Sequence, residues 1–334
     1  MEALFARFPR LADSLPYVAL GVRETPLEPW VIGDATMLVK RDDVSAPAPG
    51  GNKVRALELL LAGLRADQTL LTVGATGSTH ALAVAQHGAR LGARTTVITW
   101  PQETHPVALA TAARLEEVAD VVHAGSVAEA YLRAAARRMR GGVHWVPAGG
   151  SVPLGALGHV SAALDTADSL LREGWRTPDS LVVPLGSGGT AAGLLVGLAL
   201  ARLPTQVVGV RVVPRIVANR ARVLRLARRT HALLARLAGV ALPALDATRF
   251  LVDGGAYGGA YGRETTDARA AAEELRTAGG PMLEATYSAK AFSVALARAR
   301  HSPDERVLFW LTFDGRWLAT GSAPPTPRLS PPSR

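Results

Sequence analysis

The 334-residue chain is long enough for two domains or one large α/β unit. Its 48% hydrophobic and 19% charged residues exclude a disordered chain, and the absence of cysteine excludes disulfides, thiolate nucleophiles, iron–sulfur clusters and cysteine-ligated zinc. The net charge of +9 comes almost wholly from arginine: among 37 basic residues only Lys40, Lys53 and Lys290 are lysine, and arginine can neither form an imine nor readily give up its proton.

The first residues lack the basic start and apolar core of a secretory signal, so the expected location is the cytoplasm. From there the chain alternates short apolar runs with helical patterns. Strands are predicted at 36–40, 69–73, 95–99, 143–146, 181–185, 206–212 and 307–311, and amphipathic helices at 54–65, 78–91, 127–140 and 189–203. Such alternation predicts an α/β fold with a mainly parallel sheet covered on both faces. The apolar stretch 181–201 contains Pro184 and a glycine-rich turn, so it reads as strand, loop and core helix, with no membrane span expected. Residues 211–236 hold eight arginines, and no acidic residue lies between Arg202 and Leu245. Val223, Leu224, Leu226, Leu233, Leu234 and Leu237 supply an apolar stripe for packing. No aromatic residue is interleaved for base stacking, so no nucleic-acid partner is expected. Residues 321–334, rich in proline and serine, read as a disordered tail.

In open parallel sheets ligands sit where strands turn into helices, and four such segments could carry chemistry. In Pro49-Gly50-Gly51-Asn52-Lys53 two glycines deliver Lys53 to a helix entrance, where partial desolvation lowers an amine's pKa toward nucleophilicity; a solvated lysine in a tight turn is the plain alternative. Gly74-Ala75-Thr76-Gly77-Ser78-Thr79-His80 offers hydroxyls and a helix N-terminus to an anion, or simply a capped helix start at Ser78. Gly186-Ser187-Gly188-Gly189-Thr190 frees several backbone N–H groups to converge on one phosphate. It lacks both the P-loop lysine and the dinucleotide glycine spacing, which points away from nucleotides. Tyr261 and Tyr287 lie in two late loops and can stack on a ring, donate to a carboxylate, or pack at a domain edge.

Taken in order, these segments resemble the 1-aminocyclopropane-1-carboxylate deaminase and D-cysteine desulfhydrase family, over about residues 38–312. The resemblance implies a pyridoxal 5'-phosphate (PLP) fold of the tryptophan-synthase-β type and a homodimer. It divides the chain into a large domain (1–55 and 166–320) and a small one (56–165), with the cofactor between them. By position, Lys53 resembles the Schiff-base lysine and Asn52 its neighbour, Gly186, Ser187, Gly188, Gly189 and Thr190 the phosphate loop, Ser78 the active-site serine, and Tyr261 and Tyr287 the paired tyrosines.

Three departures stand out. Thr79 occupies the place of an asparagine that contacts the cofactor's phenolic oxygen in the family. Ser288 follows Tyr287 where the deaminases carry glutamate, and Thr312 stands within Leu311-Thr312-Phe313-Asp314-Gly315 in place of a His-Thr-Gly-Gly pattern. Hydroxyls from Ser288 and Thr312 beside the pyridine nitrogen make a weaker electron sink than a carboxylate does. That favours β-elimination from a small, D-cysteine-like amino acid, giving an α-keto acid and ammonia, over cyclopropane ring opening. Serine dehydration or racemisation, and a catalytically impaired homologue acting as a binding protein, are the alternatives.

Overall fold

Runs such as Leu181-Val182-Val183-Pro184-Leu185 are apolar on both faces, and such runs form strands buried between two layers of helices. The computed structural model describes residues 1–319, so the expected tail at 321–334 lies outside the described residues. Ten strands are seen: β1 (Leu27–Ile32), β2 (Ala35–Arg41), β3 (Thr69–Ala75), β4 (Thr95–Trp100), β5 (Asp120–His123), β6 (Val143–Trp145), β7 (Ser180–Leu185), β8 (Gln206–Arg211), β9 (Phe250–Asp253) and β10 (Val307–Leu311). They form a six-stranded sheet of order β1-β2-β10-β7-β8-β9 and a four-stranded sheet of order β5-β4-β3-β6. Every pairing is parallel except β1 with β2. The mainly parallel α/β architecture expected from the alternating pattern is therefore present, distributed over two sheets.

All seven predicted strands occur, within one or two residues of their expected ends. β1, β5 and β9 are additional; each is an edge strand with a partly exposed pattern that leaves little apolar periodicity to read. Two predicted helices are shorter: they end at Leu60 and Leu200, not at 65 and 203. Pro184 is tolerated in an internal strand because β10 pairs with β7 only over Ser180 to Val182, before the proline removes a donor.

The helices Pro153–Arg172, Gly189–Leu200 and Arg220–Ala238 cover one face of the larger sheet, and Thr266–Thr277 with Ser288–His301 cover the other. The arginine-rich segment packs through Val223, Leu224 and Leu234, each 6% exposed or less. The smaller sheet is flanked by Thr79–Arg90 on one side and Val127–Met139 on the other. The chain enters the smaller sheet through the helix Lys53–Leu60 and leaves it through Pro153–Arg172.

The link between sheets is pinned by a buried ionic network. Arg55 donates to Asp42 at 2.6 Å and approaches Asp165 at 3.4 Å, while Trp310 of β10 donates to the other Asp42 oxygen at 3.0 Å. Lys40 is equally buried and donates to the Thr25 carbonyl at 2.6 Å; burial pushes its amine down to about 8. Among the described residues no helix is long and apolar enough to cross a membrane.

Candidate active site

The C-terminal ends of β3, β7 and β10 open onto one cavity of about 960 Å³ between the two sheets. Lys53 sits in its wall at the first residue of its helix, delivered by a backbone that only glycine adopts easily. Gly51 has φ +54°, and a Cβ there would run into the Thr312 carbonyl oxygen. That carbonyl accepts instead from Asn52 N at 3.3 Å. Burial pushes the Lys53 amine down to about 8, against the opposing influence of the Asp42 and Glu284 carboxylates. Below that value the neutral amine fraction falls tenfold per pH unit. The rate at which the free protein captures a pyridoxal aldehyde is therefore expected to rise with pH up to about 8 and level off above it, followed as the growth of visible absorption.

Gly186-Ser187-Gly188-Gly189-Thr190 bridges β7 and the next helix, with Gly188 at φ +94° starting that helix. The N–H of Gly189 donates to the Ser151 hydroxyl at 3.0 Å, and Ser151 meets the Ser187 hydroxyl at 2.6 Å. Ser151 was not among the expected residues, although it follows a Gly149-Gly150 pair of the same kind as the other turns. Asn52 ties the lysine turn to this loop, donating to the Thr190 hydroxyl at 2.9 Å. Behind Thr190 lies His159, buried and pushed down to about 3 by desolvation; His80, also in the cavity wall, is pushed to about 3 by the same cause. Both imidazoles are thus neutral.

Ser78 lines the cavity and caps the helix Thr79–Arg90 by accepting from Ala81 N at 3.2 Å; Thr79 lines the cavity beside it. Tyr261 and Tyr287 line the opposite chain segments and share a hydroxyl–hydroxyl hydrogen bond, their rings edge to face at 6.0 Å. Burial pushes the Tyr261 phenol up to about 12 and the Tyr287 phenol well above its ordinary value, so both keep their protons. Thr312 and Asn52 also reach the cavity. Ser288 does not line it. It is fully buried and bound to Glu284, whose backbone N–H donates to its hydroxyl at 2.9 Å and whose carboxylate accepts its N–H at 2.6 Å. Glu284, which the sequence did not single out, lines the cavity and accepts also from Thr286 N and Tyr287 N at 2.8 Å each.

These residues fit pyridoxal phosphate. A lysine of depressed pKa would supply an imine partner, and the glycine loop would offer N–H groups and hydroxyls at a helix N-terminus to a phosphate. The close approach of the loop to its neighbours requires glycine: a Cβ on Gly189 would stand 2.7 Å from Ser151 Oγ, and one on Gly186 2.9 Å from a ring carbon of Tyr287. Gly189→Ala is expected to keep the fold and weaken cofactor retention about tenfold, measured by dialysis against known PLP concentrations.

The comparisons agree with this reading. The profile of the pyridoxal-phosphate-dependent enzyme family matches residues 18–312. Nocardicin C-9' epimerase of Nocardia uniformis is 36% identical over 95% of this chain and 98% of that protein. D-cysteine desulfhydrase of Serratia proteamaculans is 32% identical over 86% of both chains, and a putative 1-aminocyclopropane-1-carboxylate deaminase of Pyrococcus abyssi is 30% identical over 92% of both. The crystal structure of an ACC deaminase homologue superposes with a TM-score of 0.76 at 26% identity, covering 94% of this chain and 95% of that one. The chain belongs to the pyridoxal-phosphate-dependent enzymes, within the family of the 1-aminocyclopropane-1-carboxylate deaminases and D-cysteine desulfhydrases.

Proposed function

We propose that this enzyme removes the α-proton of an amino acid with Lys53 and eliminates a β-substituent, as from a D-cysteine-like substrate, to give an α-keto acid and ammonia. The observation that carries this reading is the shared cavity: a lysine amine near 8 and a protonated tyrosine pair stand around one phosphate cradle. Bound PLP supplies the electron sink that stabilises charge at the α-carbon. Lys53 takes the proton, the Cβ–substituent bond breaks with its electron pair leaving on the substituent, and Tyr261 or Tyr287 donates a proton to that group. Ser78, at its helix N-terminus, suits the substrate carboxylate.

The carboxylates of the cavity wall support a weak sink. Glu284 is saturated by backbone donors, Asp314 is bound to Arg316 and Gly50 N, and Glu103 is bound to Arg263. Thr312 is then the hydroxyl left for the pyridine nitrogen, and elimination is favoured over ring opening. The same reading has the enzyme acting as a cytoplasmic homodimer, with residues 56–165 as the small domain.

A second reading, epimerisation at the α-carbon, is favoured by the relative named as an epimerase. Lys53 and the tyrosine pair would then exchange the α-proton. An amino-acid panel in deuterated water separates the two, scoring keto-acid release against optical change with deuterium uptake. Keto acid from β-substituted D-amino acids is the expected result; neither keto acid nor deuterium uptake with any member sinks both readings.

A further inference from the structure

The cavity extends well beyond the lysine and the phosphate cradle. Its volume of about 960 Å³ is at the top of the range of about 300–1,000 Å³ for sites that enclose large ligands, more than a cofactor headgroup and a three-carbon amino acid need. Its lining continues past the lysine and the cradle to Trp100, Tyr131, Arg138, Val217 and Arg222, at the mouth. On one side Trp100, at the end of β4, stacks on Tyr131 at 6.2 Å with their planes 30° apart. One helical face of Val127–Met139 presents Tyr131 and, seven residues on, Arg138, whose guanidinium lies 5.3 Å above the Trp145 ring. On the other side stand Val217 and Arg222, near enough for the Arg222 charge to act on the Tyr131 phenol.

Charge at this mouth is unbalanced. Every carboxylate lining the cavity already has a cationic or backbone partner, whereas Arg138 and Arg222 form no ion pair among the described residues. Most other cavity-lining charges are spoken for, so these two guanidiniums are the ones available to an incoming anion. Aromatic walls with two unpaired arginines form a site for a flat ring that carries an acid.

We propose that this mouth is the specificity subsite for the far end of the substrate, and that the natural amino acid carries an aryl group ending in an acidic group held between Arg138 and Arg222. The proposal rests on the α-carbon reading above but is indifferent to whether the arm leaves or stays. Its chemistry is that of charge-assisted, planar recognition, in which guanidinium outperforms ammonium.

Calorimetry on the PLP-loaded protein tests it with 4-carboxyphenylalanine, phenylalanine and 4-aminomethylphenylalanine. The acid is expected to bind about tenfold tighter than phenylalanine, and an R138A/R222A protein to lose that preference while keeping its visible absorption. Because both arginines are exposed, an R138E/R222E protein should fold and turn its preference toward the aminomethyl compound. Equal binding of acid and phenylalanine by the wild type, or a preference that survives in R138A/R222A, overturns the subsite. Arginine-dependent binding of the acid with no deuterium uptake at its α-carbon upholds the subsite and counts against the α-carbon reading alone.

Discussion

Lys53→Ala is expected to lower turnover by about three orders of magnitude or more and to remove the visible band of the cofactor-bound protein. The expectation follows from where the other two lysines stand. Lys40 is fully buried with its amine on the Thr25 carbonyl at 2.6 Å, and Lys290 donates to the Tyr257 carbonyl at 2.9 Å. Neither lines the cavity, so neither can take over the imine. The position gives Lys53 its reactivity: glycines at 50 and 51 bring it to the helix entrance, and burial lowers its amine to about 8. Borohydride reduction followed by peptide mass mapping reads the attachment directly. A reducible pyridoxal adduct that persisted in the alanine protein would falsify the assignment.

Asp42→Ala carries the largest expected effect on stability, about 3–5 kcal/mol. Asp42 is inaccessible to water and accepts from Arg55 at 2.6 Å and from Trp310 at 3.0 Å. Its removal strands the indole N–H without its acceptor and a buried guanidinium, leaving Arg55 only longer contacts, to Asp165 at 3.4 Å and to the Thr25 hydroxyl at 3.5 Å. Asp42→Asn retains an acceptor and loses the charge, so its cost is expected to fall between wild type and alanine. Urea unfolding midpoints of the three proteins, followed by tryptophan fluorescence, give the order. Because Asp42 follows β2 and Arg55 follows Lys53 by two residues, the alanine protein is also expected to hold PLP less tightly.

Much of this architecture is legible in the residues themselves. Strands such as 69–73 and 181–185 are short, mainly apolar runs that end in glycine-rich turns, and both the run and the punctuation survive without tertiary context. β1, β5 and β9 were not legible because edge strands bury one face at most and blend into their loops. Lys53 and the loop from Gly186 to Thr190 could be found because backbone strain and helix entrances mark them locally. Ser151 and Glu284 could not, because their partners lie 38 and up to four residues away in patterns with no periodic signature. Ser288 illustrates the same limit from the other side: a hydroxyl next to a cavity-lining tyrosine looks available, yet a glutamate four residues earlier claims it. The rim of Trp100, Tyr131, Arg138 and Arg222 comes from three separate elements, and only folding gathers it.

β10 is inserted between β2 and β7, although some 270 residues separate it from β2. Its exit supplies the Thr312 carbonyl against which Asn52 is held and the Asp314 carboxylate that receives Gly50 N at 3.2 Å. A chain emerging from the ribosome thus carries Lys53 from early in synthesis, but its turn gains these contacts only when β10 slots into the middle of the sheet. Pairing at such sequence separation is slow and late. Truncation before residue 312 is expected to remove both contacts and leave the lysine turn to its bonds with Ser45 and Thr190.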